Sequence, residues 1–94
     1  MSEQPLTKER AAAIAEEQQR LRQLRMVVDL TANVLAQGGL TRREAEELVA
    51  AARQRVLALF PDKEDTYELI LAPRFARLIE ENVKRPARVL PFKR

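Results

Sequence analysis

The 94-residue chain has no cysteine, no histidine and no tryptophan, only two glycines, and a single serine, Ser2. Without cysteine there is no disulfide framework and no thiol nucleophile. Without histidine there is no imidazole base, and without both there is no zinc site of the usual Cys/His kind. Ser2 falls in a leader, residues 1–6, that reads as disordered, which argues against a serine-based triad. Long apolar runs are also missing. Stretches free of polar residues, such as Val56 to Pro61 and Leu69 to Pro73, are far short of the roughly 20 residues that span a bilayer. The start of the chain carries Glu3 and Pro5 instead of a basic segment followed by an apolar one, so no secretory signal is read and a cytoplasmic protein is expected.

What is present is 46% hydrophobic and 33% charged, the balance of a small helical protein. The formal net charge of +3 conceals an uneven distribution. Residues 1–83 hold 12 basic against 14 acidic side chains, whereas residues 84–94 hold five basic and no acidic ones. The positive excess therefore lies wholly in the last eleven residues, and only they should be drawn to anionic surfaces. Thirteen Arg against four Lys, with fourteen Ala, points to a GC-rich bacterial genome.

Three helices are expected. Thr7 is a suitable N-cap with Glu9 in the first turn, and no helix-breaking residue follows until Gly38. Ile14, Leu21, Val28 and Leu35 recur at seven-residue spacing, with Leu24 and Thr31 three residues after two of them. This heptad-like stripe is weakened where Glu17 replaces an apolar residue. Gly38-Gly39 ends the helix and frees the chain to turn. Thr41 and Glu44 form a capping-box pattern that opens a second helix. Its apolar face is Ala45, Leu48, Val49, Ala52, Val56, Leu59 and Phe60, with Arg42, Glu46, Arg53 and Gln54 outside it. Leu40 to Leu48 resembles the opening of the helix-turn-helix domain in LuxR-type response regulators. The glycine turn and recognition helix of that family do not follow, so the similarity reduces to a capping box.

Pro61 ends the second helix. Asp62 is expected to cap a third, spanning about 63–84, with Tyr67, Ile70, Leu71, Phe75, Leu78, Ile79 and Val83 facing the core. Pro73 removes a backbone donor and crowds the carbonyl of Leu69, so a kink is expected there. Pro86 and Pro91 exclude a helical tail. The fold class expected is thus all-α: an antiparallel three-helix bundle with a long first helix, a Gly-Gly turn, a Pro-Asp turn and a Pro-kinked third helix. It forms one domain over 7–85, followed by an extended basic tail over 86–94.

Sites are harder to read. Asp62, Glu64, Asp65 and Glu68 crowd one helix start, where a hard cation would find oxygen ligands. The calcium-loop spacing is absent, and the helix dipole alone favours acids there. No phosphate-cradling loop is present. No catalytic residue, metal ligand or cofactor is assigned, and the chain is expected not to be an enzyme. The expected function is that of a small interaction, scaffold or regulatory protein that self-associates, as a homodimer, and binds a protein partner. Ile14, Leu21, Leu24, Val28 and Leu35 are the candidate oligomer interface. Arg85, Arg88, Val89, Leu90, Phe92, Lys93 and Arg94 are the candidate contact to a partner or to phosphate. The alternative is a nucleic-acid-binding accessory protein that grips phosphate with this tail. The same tail could also fold back onto its own body, burying Val89, Leu90 and Phe92.

Overall fold

The computed structural model describes residues 7–83, which form three helices, and among these residues there is no strand. The expected leader and tail, with Arg85, Arg88, Val89, Leu90, Phe92, Lys93 and Arg94, lie outside the described residues. The first helix, α1, spans Lys8–Gln37, and Thr7 caps it by accepting a bond from the Arg10 amide at 3.0 Å. The turn after it needs both glycines. Gly38 and Gly39 adopt φ of 76° and 90°, a region that costs side chains with a Cβ. A Cβ on Gly38 would also stand 3.3 Å from the Asn82 carbonyl oxygen, so the turn packs closely against the end of the third helix.

The second helix, α2, spans Arg42–Leu59. Its capping box is complete: the Glu44 amide donates to the Thr41 hydroxyl at 3.1 Å, and the Thr41 amide donates to the Glu44 carboxylate at 3.0 Å. Phe60 leaves the helix at φ −137°, because the residue before a proline is pushed out of the helical region.

The third helix, α3, runs 64–82 in three consecutive segments: a short α-helical turn Glu64–Thr66, a π-helical turn Tyr67–Leu71, and an α-helix Ala72–Asn82. Backbone angles stay helical across both junctions. One expectation is corrected here. Asp62 does not cap this helix; it lies in the preceding turn, closed by the Lys63 amide donating to the Phe60 carbonyl, and Lys63 occupies the cap position. Pro73 is accommodated by the π turn, in which the Ala72 amide reaches back five residues to the Tyr67 carbonyl. The widened turn takes up one extra residue just where the proline ring would crowd the chain.

That extra residue also resets the helix phase. In a regular α-helix, Phe75 and Ile79 would lie about 80° and 120° around the axis from Tyr67. With the π turn all three point into one core, exposed by 0%, 6% and 2% respectively. Ile70, expected on that face, is instead 61% exposed. The core joins these residues to Val28, Leu35, Ala45 and Val56, with Leu24, Leu48, Leu71 and Leu78 packed around it. Helix α1 packs on α2 and on the Ala72–Asn82 segment of α3.

Candidate functional site

Helices α2 and α3 are joined by ion pairs at two levels and leave a groove between them. At one level, Arg42 Nη1 donates to Glu80 Oε2 at 2.9 Å. At the other, Arg53 forks: Nε donates to Glu68 at 2.9 Å and Nη2 to Glu64 at 2.7 Å. The Arg53 guanidinium carbon also sits 5.7 Å from the centre of the Tyr67 ring, a cation–π geometry. Hydrogen bonding to Glu80 and Glu68, respectively, is the main reason Arg42 and Arg53 hold their protons more tightly than usual.

Between these clamps lies an open cavity of about 410 Å³. Val49, Tyr67, Ala72, Ala76 and Ile79 supply its apolar lining, and Arg42, Glu46, Arg53, Glu68 and Glu80 its charged rim. The geometry follows from spacing. Arg42, Glu46, Val49 and Arg53 recur at the 4-3-4 interval that keeps side chains on one helix edge. On α3, Glu68, Ala72, Ala76 and Glu80 form a row at intervals of four, with two small residues between two carboxylates. Alanine in place of a larger side chain leaves the space open.

Tyr67 forms part of this lining and part of the core. Its ring meets Phe75 at a 6.4 Å centroid separation, tilted by 54°. Its hydroxyl is buried and has no hydrogen-bond partner among the described residues, an arrangement that costs free energy where water bonds are lost and not replaced. Burial, and then the negative charge of Glu68, raise the phenol above its ordinary pKa, while Arg53 acts in the opposite direction. The phenol therefore stays neutral. With Arg42 and Arg53 held protonated by carboxylates, the groove is furnished to bind an apolar body between charged ends.

The expected acidic cluster is divided by these contacts. Glu64 and Glu68 turn to Arg53, and among the described residues no group of three or more acidic side chains is gathered to hold a metal ion. The expected interface stripe on α1 is divided as well. Val28 and Leu35 are buried within this chain and Leu24 is half-buried, whereas Ile14 and Leu21 are 42% and 40% exposed. Met26 and Leu30 are exposed on the opposite side of the same helix.

The groove was not read from the sequence, because Arg42, Glu46 and Arg53 were placed outside the apolar stripe without a partner. The available signal was the Glu68-Ala72-Ala76-Glu80 row facing an Arg-bordered edge. Comparison with known protein families, curated proteins and solved structures found no match for this chain. No helix among the described residues is long and apolar enough to cross a membrane.

Proposed function

We propose that this chain is a small non-enzymatic interaction protein of bacterial cytoplasm, acting through self-association and partner binding. Its three helices pack as an antiparallel up-down-up bundle. The order of contacts supports that arrangement: Arg42 near the start of α2 pairs with Glu80 near the end of α3, and Arg53, later in α2, pairs with Glu64 and Glu68. The Gly38 turn meets Asn82, so α1 and α3 finish at the same end.

One observation carries the self-association reading. Every residue from Thr7 to Gln19 is exposed, and Arg20, the next residue, lies over the ring of Phe60, just past the end of α2, at 5.7 Å. About 18 Å of α1 therefore extends past the rest of the domain. The same stripe that buries Val28 and Leu35 continues onto this overhang as Leu21 and Ile14. A second copy laid against it covers those side chains and enlarges a core that is small for a lone domain.

Light scattering at tens of micromolar tests the reading. A mass of two chains is expected, reduced to one chain by Ile14→Glu and by Leu21→Glu. A single-chain mass for the unmodified protein at that concentration overturns self-association.

A further inference from the structure

The groove between α2 and α3 has an apolar lining and an excess of negative charge. Its charged rim sets Glu46, Glu68 and Glu80 against Arg42 and Arg53, a net of −1. The chain continues beyond α3 with a segment of opposite character. Residues 84–94 carry Lys84, Arg85, Arg88, Lys93 and Arg94, no acids, and the apolar side chains Val89, Leu90 and Phe92. We infer that the α2–α3 groove is a docking site for an extended basic–apolar peptide, and that its resident occupant is this chain's own segment 84–94.

Position and reach agree. Val83 leaves α3 with extended backbone angles (φ −67°, ψ 145°), four residues after Ile79 and three after Glu80, which line the nearer end of the groove. Along α2 the groove runs from Arg42 to Arg53, about 16 Å at the helical rise. The seven residues that follow Val83, 84–90, would span about 23 Å when extended, enough for a reversal of direction followed by the whole groove.

Chemistry agrees too. Pro86 and Pro91 restrict the residues before them to extended conformations, which lowers the entropy lost on docking. Leu90 and Phe92, two residues apart, share one side of an extended chain and match a lining of Val49, Ala72, Ala76 and Ile79. Arg88 and Lys93 bracket them as the acidic groups bracket the groove. Because the segment is tethered, its local concentration is on the order of millimolar, and a competing ligand must displace it. The groove is thus a peptide site held in check by its own chain, and the interaction should weaken with salt.

The test is fluorescence anisotropy with a labelled synthetic peptide of residues 84–94, titrated with three full-length proteins at low and high salt. The first is the unmodified chain. The second is the V89S/L90S/F92S variant, which keeps the charges but removes the apolar grip. The third is that variant with Ala76→Arg, which fills the groove from an exposed helical position and adds a like charge. The peptide should bind the triple variant, bind the unmodified chain about tenfold more weakly because the tethered segment competes, and lose binding to the Ala76→Arg protein. Glu46→Lys, on the opposite wall, serves as a second blocking variant if Ala76→Arg alters the melting curve. Equal affinity for the unmodified and triple-variant chains overturns the resident-occupant assignment. Binding that survives both blocking variants, or no binding to the triple variant at millimolar peptide, overturns the groove as the site. A two-chain mass that falls to one chain in the triple variant overturns intramolecular docking in favour of exchange between copies.

Discussion

The two halves of α1 carry one apolar stripe and meet different surroundings. In the later half, Val28, Thr31 and Leu35 are enclosed by α2 and α3; in the earlier half, Ile14 and Leu21 stand open. Helical propensity is similar along the whole helix, and Thr7 caps the open end as Thr41 caps α2. The difference comes from partner length, since α2 has 18 residues against 30 in α1. Local sequence is enough to make a helix here, but burial requires a neighbour that extends as far.

Substitutions can break this comparison. The largest effect is expected for Leu35→Ala, about 2–5 kcal/mol by urea denaturation at an unchanged slope. Ile14→Ala, measured in dilute solution where copies are apart, should cost less than about 0.5 kcal/mol, as surface changes do. At high concentration the same Ile14→Ala change should lower the melting temperature through lost association. Equal costs for the two substitutions in dilute solution would mean that the halves are equally enclosed.

Next in size is Gly38→Ala. It forces a Cβ into a positive-φ position and against the Asn82 carbonyl, and about 1–2 kcal/mol of destabilisation is expected in thermal melts. The two caps then sharpen the contrast. Thr41→Ala should lower global stability by about 1 kcal/mol, since α2 is packed along its length. Thr7→Ala should leave global stability almost unchanged and appear only as faster amide exchange in the first turns of α1.

At neutral pH the last substitution, Tyr67→Phe, should be neutral or slightly stabilising, because it removes a buried hydroxyl that has no partner among the described residues. Its signature is pH dependence. The folded-state pKa lies above the ordinary 10.0, so the stability linked to the neutral phenol is fully present below that value. It is lost as pH rises through the folded-state pKa. Alkaline melts should therefore decline less steeply for Tyr67→Phe than for the unmodified chain. Parallel declines would show that the phenol is not desolvated.

Much of the fold was legible before the structure. Thr7, Gly38-Gly39, the Thr41–Glu44 box and Pro61 mark helix ends through bonds within a few residues of themselves, and each does so where expected. Asp62 was misread because a carboxylate near a helix start can lie in the turn as easily as in the cap. Ile70 was misread because a regular 100° step was assumed through Pro73, and the π turn changes that step. The Arg53 fork and the α2–α3 groove were hidden for a different reason. They join residues 11 and 15 positions apart across two helices, and spacing within one helix carries no information on what the other presents.

By itself, then, the amino-acid order determined that the chain is helical, where α1 and α2 begin and end, and which chemistries have no side chain to perform them. These follow from short-range backbone bonding, capping and composition, which need no distant contact. Tertiary structure decided which half of the α1 stripe is enclosed, how Tyr67, Phe75 and Ile79 come into one line, and that two rows of ordinary surface residues border a groove. Those outcomes depend on helix phase and on relative helix length, which are set only when the three helices pack together.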